Sequence, residues 1–226
     1  MPKAHRVWIS VYLANDPDSV QRRLEQAVAH FCGACGIPTP PAEKLVIGRT
    51  DRGKPFFLHA PQLHLSISHS GKYWGCAIAD QTVGFDLQQK EQPRQESPEE
   101  MLWRHQRMAN RFFHTLEAEF VARDCAHNFL TVWTAREAYV KHTGQGIDDS
   151  FSEHCVVPED NEDRLRISGD ADGVQWSAMG KYFQKIPFDR EYALCVCTDT
   201  PCECTIMEFC GRRVRVEHNG DCSSIA

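Results

Sequence analysis

Two segments of the chain each carry a carboxylate on an otherwise apolar element, and any fold has to accommodate both. The first, VGFDLQ, alternates between apolar and polar residues and therefore predicts a strand. Its apolar face carries Val83, Phe85 and Leu87. Asp86 and Gln88 lie on the opposite face, so the strand presents a carboxylate next to an amide carbonyl.

The second segment, WTAREAYVK, predicts a helix with a stripe of mixed chemistry. Phe129, Trp133, Glu137 and Lys141 recur every four residues, so they share one helical face. A carboxylate on an apolar stripe is costly to bury unless it is paired or binds a metal. Glu137 and Asp86, on two different elements, could therefore share one Mg²⁺ through hard oxygen ligands.

Further motifs flank these two segments. GKP stands at Gly53 to Pro55 and SHSG at Ser68 to Gly71, and RFFHTLEAEF lies between the strand and the helix. Together with VGFDLQ and WTAREAYVKHTGQG, these stretches resemble the signature of the Sfp-type 4′-phosphopantetheinyl transferases. That signature is a (V/I)G(I/V)D(I/V)E strand, a Phe/Glu segment and WxxKEAxxKxxG. Each piece alone is weak, but the motifs together, in this order and spacing, are specific.

The resemblance implies an α+β fold built as a pseudo-dimer of two similar α+β halves, with the active site at their junction. Residues 1–89 would form the N-terminal half and residues 101–210 the C-terminal half. The charged, Pro-bearing stretch 90–100 would link them, and residues 211–226 would be a polar tail. Internal duplication of this kind implies a monomer.

The resemblance also implies an activity. The enzyme would transfer the 4′-phosphopantetheine arm of coenzyme A to a serine hydroxyl of an acyl or peptidyl carrier protein, with Mg²⁺ as cofactor and release of 3′,5′-ADP. The rival hypothesis is a non-catalytic module of the same fold that binds coenzyme A or a carrier protein. Loss of Asp86 or Glu137 would favour that rival, and both are present.

Matching positions imply a role for each residue of the chemical centre. Asp86 and Glu137 would bind the metal, and Gln88 stands where the family most often has Glu, so it would be a weaker ligand. Lys141 would meet the pyrophosphate of coenzyme A or stabilise the leaving phosphate. Glu117 would act as general base for the carrier's serine or orient a metal-bound water, and Glu137 is the alternative base.

The coenzyme A site would draw mainly on the first half. Lys54 offers a point charge for phosphate in a loop whose Gly53 permits close backbone approach. The imidazole of His69, at a strand end beside Ser68, could donate to a phosphate. The predicted coenzyme A ligands are therefore Arg49, Lys54, Pro55, Ser68, His69 and Lys141.

Two further features depart from the family pattern. The first half is short and lacks the Arg-rich helix with which typical relatives hold the 3′-phosphate of coenzyme A. Arg22 and Arg23 offer comparable charge, and Arg49 and Arg52 could compensate from the loop before GKP. Arg136 replaces the Lys that usually precedes the motif Glu, which keeps the charge and changes the hydrogen-bond geometry.

Composition excludes several other classes of function. The formal net charge of −6 argues against general nucleic-acid binding, which needs a basic footprint. The early VWISVYL stretch is too short to span a bilayer and alternates like a strand, so no membrane partner is expected. We expect a cytoplasmic protein.

Eleven cysteines leave a third hypothesis open, a zinc or redox module. Cys32 and Cys35 have CxxC spacing, but the other close pairs, Cys195/Cys197 and Cys202/Cys204, are CxC. A structural zinc site usually takes two CxxC-type pairs or a Cys/His pair at defined spacing. Reduced thiols are the better interpretation.

The local pattern also predicts the remaining elements. Asp16 or Asp18 is the candidate N-cap of a first helix, residues 156–173 read as a loop with a short strand at 165–167, and the tail after Gly211 reads as loose. A helix over 101–113 brings Arg104, Arg107 and Arg111 onto one face. That face is either a solvated cationic surface or one that steers an acidic carrier protein towards Glu117.

Overall fold

The computed structural model describes residues 4–90, 96–146, 152–169, 173–210 and 213–218. The helices are α1 (Val20–Cys35), α2 (Pro98–Phe112), α3 (Thr115–Arg123), α4 (Cys125–Thr143) and α5 (Asn161–Ile167). The early strands are β1 (His5–Leu13), β2 (Ile47–Arg49), β3 (Pro55–Phe57), β4 (His64–Ser70), β5 (Tyr73–Ala79) and β6 (Val83–Gln89). The later strands are β7 (Gln175–Ala178), β8 (Lys181–Lys185), β9 (Tyr192–Thr198), β10 (Cys202–Cys210) and β11 (Arg213–His218).

Two sheets carry the mixed α+β fold. The first has the strand order β11-β10-β1-β5-β4 and the second β6-β9-β8-β7, while β2 and β3 form a separate ribbon. The pairing of β1 with β10 is parallel, whereas β6 pairs with β9 in antiparallel register. The boundary predicted near residue 90 therefore does not separate the sheets. Strand β6 precedes it and joins the second sheet, and β10 follows it and joins the first.

Apolar residues fill three layers between and around the sheets. Side chains of β1 and β5 meet those of β6 and β9, as Ile9, Ala77, Phe85 and Val196 illustrate. Helix α1 covers the outer face of the first sheet, and α4 with its neighbouring helices covers that of the second. The apolar face of β6 is thus turned to the first sheet, and its Asp86 face to α4, as the alternation predicts.

Gly84 allows α4 to pack directly on the backbone of β6. A Cβ atom at this position would lie 1.8 Å from the carbonyl oxygen of Ala138 and 2.5 Å from the amide nitrogen of His142. No side chain other than hydrogen fits there. This close approach brings Asp86 next to the stripe of α4 that carries Glu137 and Lys141.

Three serine side chains join the edges of the two sheets, and we call this set the serine seam. Ser66, Ser68 and Ser70 alternate along β4, so their hydroxyl groups face β6. They accept hydrogen bonds from the backbone N–H groups of Phe85, Leu87 and Gln89, at 2.9, 3.3 and 3.1 Å. The seam thereby satisfies N–H groups on the edge of β6 that β9 does not pair.

Several local expectations were wrong. Residues 161–167 form helix α5 and not a loop with a strand, because the Asp160 side chain caps its N-terminus. Helix α1 is capped by Ser19 and not by Asp16 or Asp18. Strand β11 pairs with β10 in a stretch that was expected to be loose, and the rest of the predicted tail lies outside the described residues.

The predicted linker is shorter than its composition indicated. Helix α2 already begins at Pro98, because Ser97 and Glu100 form a capping box. Residues 91–95 of the predicted linker lie outside the described part of the chain. Within the described residues, no helix combines the length and apolarity that a membrane crossing requires.

Candidate active site

A cleft of about 600 Å³ lies where β4, β6, α4 and the loop before β3 meet. Its lining includes every residue predicted for the site except Glu117. These residues are Arg49, Lys54, Pro55, Ser68, His69, Asp86, Gln88, Glu137 and Lys141. The motifs that are far apart in sequence therefore converge on one concave surface.

Asp86, Ser68 and Lys141 form a closed triangle of polar contacts in this cleft. The Ser68 hydroxyl lies 2.7 Å from Asp86 Oδ1, and Lys141 Nζ lies 2.6 Å from the same oxygen. Lys141 Nζ also lies 2.9 Å from Ser68 Oγ. Asp86 is 1% exposed, so this ion pair and hydrogen bond compensate a buried charge.

Glu137 faces the same cleft from α4, one turn before Lys141. Burial raises the pKa of the Glu137 carboxyl, the neighbouring Asp86 charge raises it further, and Lys141 opposes the rise. Two carboxylates thus share one partly desolvated space. An additional positive charge between them would be stabilised there.

The side-chain amide of Gln88 binds Asp86 and Ser70. Its amide Nε2 donates to Asp86 Oδ2 at 3.2 Å, and its Oε1 accepts from the Ser70 hydroxyl at 3.4 Å. The amide oxygen therefore interacts with the serine seam, and the amide nitrogen fixes the Asp86 carboxylate. In this orientation Gln88 supports Asp86 and its oxygen is not turned to the pair of carboxylates.

The loop 49–55 forms a basic wall of the cleft and is fastened to the C-terminal end of α4. Lys54 Nζ donates to the carbonyl oxygen of His142, and Arg52 donates to that of Gln145. Arg49 donates to the carbonyl oxygen of Gly53 at 2.9 Å. Burial lowers the pKa of Lys54. Carbonyl groups at a helix C-terminus attract such cations, which explains the docking of the loop.

Glu117 lies apart from this cleft, in a buried ion pair with Arg136. Both side chains are almost fully enclosed, with 0% and 1% exposure, and they are in direct contact. The Glu117 carboxylate also accepts from the backbone N–H groups of Val156, at 2.7 Å, and His114, at 3.0 Å. Arg136 and Glu117 therefore form a structural pair between α3 and α4.

The two arginines considered in α1 do not line the cleft. Arg23 donates to the carbonyl oxygen of Asp16 at 2.6 Å, and its guanidinium stacks on Trp74 with 5.4 Å to the ring centroid. Arg22 pairs with Asp18 at 3.4 Å. Trp74 itself lines the cleft and was not predicted, because in the apolar run of β5 it reads as a core residue.

The cysteines do not assemble a metal centre among the residues that the structure describes. Cys32 and Cys35 lie in the last turn of α1. The Sγ atoms of Cys202 and Cys204 are 3.7 Å apart on β10. No group of three or more His, Cys, Asp or Glu side chains in the described ranges is arranged to hold a metal ion.

A comparison with protein families identifies what these converging motifs have in common with known proteins. The model of the 4′-phosphopantetheinyl transferase superfamily matches residues 82–197, which is about half of the chain. The chain belongs to this superfamily. The matched stretch of this superfamily member includes Asp86, Glu117, Glu137 and Lys141, whereas the GKP and SHSG residues precede it.

The curated relatives of this superfamily member are named 4′-phosphopantetheinyl transferases. It is 28% identical over 167 residues to the 4′-phosphopantetheinyl transferase psf-1 of Bacillus pumilus, a match that covers 71% of this chain and 64% of the relative. It is 26% identical to a 4′-phosphopantetheinyl transferase of Bacillus subtilis, over 72% of this chain and 66% of the relative. The corresponding values for 4′-phosphopantetheinyl transferase Sfp of Bacillus subtilis strain 168 are 26%, 66% and 61%. The chain thus spans less than two thirds of the length of these relatives.

The donor set of the cleft fits a hard divalent cation such as Mg²⁺. Asp86 and Glu137 offer carboxylate oxygens from two elements. Burial raises the pKa of Glu137, and the neighbouring Asp86 charge raises it further. Mg²⁺ is usually bound by one or two carboxylates, with water and phosphate oxygens as the other ligands. Two protein carboxylates in a superfamily member are consistent with this pattern.

Proposed function

We propose that the protein transfers the 4′-phosphopantetheine arm of coenzyme A to a serine hydroxyl of an apo acyl or peptidyl carrier protein, with Mg²⁺ as cofactor and release of 3′,5′-ADP. Membership of the superfamily and the names of the curated relatives support the type of reaction. The observation that carries the proposal is the convergence of Asp86 from β6 with Glu137 and Lys141 from α4 in one cleft.

The basic residues of the cleft support coenzyme A as the substrate. Lys141, Lys54, Arg49 and His69 line one side of the cleft, so a diphosphate would find several donors within a short span. We propose that Arg49 and Arg52 bind the 3′-phosphate, because both line the cleft while Arg22 and Arg23 do not. Ser68 and Pro55 would contribute to the same site.

Asp86 and Glu137 would hold the cation, and the Asp86 carboxylate is kept in position by Ser68 and Gln88. When bound, Mg²⁺ would supply positive charge that offsets the charge developing on the departing 3′,5′-ADP as the diphosphate of coenzyme A is cleaved. Lys141 would add a second positive charge at the same phosphates. Positioning and electrostatics then supply most of the rate enhancement.

The serine proton needs an acceptor, and the arrangement supports Glu137 over Glu117. Glu137 faces the cleft, where the serine hydroxyl of a carrier protein would reach its carboxylate. Glu117 is enclosed by Arg136 and two backbone donors, so it would have no direct access to a carrier protein. We propose that Glu117 stabilises the α3–α4 contact and does not take part in the chemistry.

We also propose the pseudo-dimer organisation for this chain, with the site at the junction of the two halves. The reciprocal exchange of β6 and β10 between the sheets supports it, because two similar halves would each contribute a strand to the other. The cleft draws Ser68 and His69 from the first sheet and Asp86 from the second.

The proposal is tested by incubating the purified protein with coenzyme A, Mg²⁺ and a panel of apo carrier proteins. Intact-protein mass spectrometry should show one added phosphopantetheine arm on a carrier, and chelation of Mg²⁺ should abolish the addition. The Asp86→Asn variant is the control for a contaminating transferase. If no carrier in a broad panel is modified, while a known transferase modifies the same panel, the proposed reaction is wrong.

A further inference from the structure

Lys141 interacts with one oxygen of the Asp86 carboxylate, a group that would hold the proposed cation. Its Nζ atom is 2.6 Å from Asp86 Oδ1 and 2.9 Å from Ser68 Oγ, which itself contacts Asp86 Oδ1. The Lys141 side chain is 28% exposed, whereas that of Asp86 is 1% exposed. The ammonium therefore has a path out of the site, and the carboxylate has none.

We propose that Lys141 is an exchangeable counter-ion, which neutralises Asp86 while the divalent cation is absent and leaves Asp86 when that cation binds. The inference rests on the proposed function, because it assumes that Asp86 and Glu137 form the cation site. It assigns to Lys141 a role that precedes its contact with the phosphates of coenzyme A.

The Lys141 ammonium group and a divalent cation would compete for the same carboxylate. The Asp86 carboxylate already accepts from Ser68, Gln88 and Lys141, and Oδ1 receives two of these three donors. A divalent cation on Oδ1 would repel an ammonium group at this distance, so the two cannot occupy the site together. The apparent affinity for the cation therefore equals the intrinsic affinity multiplied by the fraction of molecules in which Lys141 is not bound to Asp86.

The displaced ammonium group would next bind the diphosphate of coenzyme A. The cleft is built to receive a diphosphate, and a diphosphate that binds Lys141 removes it from Asp86. Coenzyme A should then favour cation binding, and the cation should favour coenzyme A by the same factor, because such coupling is reciprocal. Lys141 thus links the loading of the two components.

The chain contains a matched pair for comparison. Lys181 Nζ lies 2.6 Å from Asp199 Oδ1 and its side chain is 27% exposed, so Lys181 matches Lys141 in contact length and exposure, while Asp199 is 41% exposed. Lys181 and Asp199 are not among the described residues that line the cleft. Removal of Lys181 therefore controls for the general loss of one positive charge.

The experiment is a Mn²⁺ titration of the full chain without coenzyme A, followed by calorimetry or by the electron paramagnetic resonance signal of free Mn²⁺. We expect Lys141→Met to bind Mn²⁺ about tenfold more tightly than the parent protein, since a neighbouring charge has been removed. Lys141→Gln, a second variant in case the first folds poorly, should behave in the same way. Lys181→Met should match the parent protein, and Asp86→Asn should lose binding.

A second titration in the presence of coenzyme A should shrink the difference between Lys141→Met and the parent, because the diphosphate has already drawn Lys141 away. If both Lys141 variants bind Mn²⁺ no more tightly than the parent while Asp86→Asn loses binding, the counter-ion role is overturned and the metal site stands. If Asp86→Asn binds Mn²⁺ like the parent, the proposed metal site itself is wrong, and the counter-ion role with it.

Discussion

Ser68 Oγ and Asp86 Oδ1 lie 2.7 Å apart, although their strands belong to different sheets. The same hydroxyl accepts the N–H of Leu87 at 3.3 Å. One side chain therefore joins the two sheets and orients the carboxylate of the candidate active site. Stability and activity are coupled at this residue, and substitutions along the serine seam can separate them.

We expect Ser68→Ala to lower kcat, because Asp86 and Lys141 both lose a partner that fixes their orientation. The loss should be about tenfold, the size expected for one hydrogen bond to a charged group. Ser66→Ala is the matched control, since Ser66 accepts the N–H of Phe85 and does not contact Asp86. Both variants should be destabilised by about 1–3 kcal/mol in urea unfolding, since each leaves a buried N–H unpaired. Equal kcat values for the two variants would show that Ser68 does not position the site.

Gly84→Ala should strongly destabilise the fold, because the new methyl group would collide with backbone atoms of α4. Helix α4 would have to move away from β6, and we expect a loss of about 3 kcal/mol or more in the free energy of unfolding. Gly33→Ala is the control, because a Cβ there meets no atom within 4 Å. In the last turn of α1 this change should be neutral or stabilise by up to about 1 kcal/mol. A Gly84→Ala protein as stable as the parent would contradict the close packing of α4 on β6.

Glu117→Gln should mainly lower the stability of the fold, whereas Glu137→Gln should mainly lower kcat. The first leaves the buried Arg136 charge without its partner and should cost about 3–5 kcal/mol of stability, with kcat per folded molecule largely retained. Adding Arg136→Met to Glu117→Gln should restore part of that stability. The second should lower kcat by about a hundredfold or more with little change in unfolding. A stable, inactive Glu117→Gln protein would instead identify Glu117 as the base.

Acid should weaken the fold through His142. Burial lowers the pKa of its imidazole to about 4, and the nearby Asp199, whose Oδ1 is 3.2 Å from Nε2, opposes the decrease. In the unfolded chain the pKa returns to about 6.5, so the unfolded state binds more protons between pH about 4 and 6.5. The stability that neutral His142 contributes is therefore present above pH about 6.5 and is lost as pH falls towards 4, by about 2–3 kcal/mol.

The measurement is urea unfolding between pH 7 and pH 4, where the His142→Gln protein should lose less stability than the parent. The exposed His59 offers a control, and His59→Gln should give the parental profile. Parallel pH profiles of His142→Gln and the parent protein would show that His142 does not contribute.

Helix α2 presents the surface that we expect an acidic carrier protein to use. Trp103 is 63% exposed, and the Arg107 guanidinium stacks on its ring at 4.5 Å from the centroid. Arg104 is tied to Glu96 at 2.8 Å, so the sequence stripe of three arginines is only partly available. This surface combines exposed aromatic area with positive charge, although the protein as a whole has a net charge of −6.

Reversing two of these charges with Arg104→Glu and Arg107→Glu should raise the KM for the carrier by about tenfold and weaken its dependence on salt. The KM for coenzyme A should hardly change. Arg166→Glu, on α5, is the control for a charge reversal elsewhere. If the double variant keeps the parental KM and salt slope, α2 is only a solvated cationic face.

Local patterns account for the convergence of Asp86, Glu137 and Lys141 in the cleft. The alternation of β6 sets the direction of Asp86, and the four-residue period of α4 sets those of Glu137 and Lys141, so a strand and a helix in contact bring them together. Helix α5 also had a local signal in Asp160, a good N-cap before a polar turn, but its acidic composition was interpreted as a loop.

The remaining features depend on contacts between distant parts of the chain. The burial of Glu117 depends on Arg136 and Val156, which come much later in sequence, so its family motif alone indicated a catalytic role. The serine seam depends on the approach of two sheet edges. The exchange of β6 and β10 depends on which strand pairs with the edge of each sheet. No periodicity in a short window carries such information.

The parallel pairing of β1 with β10 has a consequence for how the protein is made. His5 lies opposite Cys202 in this register, so β1 can form this pairing only after β10, nearly two hundred residues later in sequence, has been synthesised. Until the ribosome has released that segment, one edge of β1 lacks its partner and is open to pairing with other chains. Such distant pairing also slows folding. We therefore expect nascent chains that stall before β10 to be substrates for chaperones, even though all the residues that line the cleft have already been synthesised.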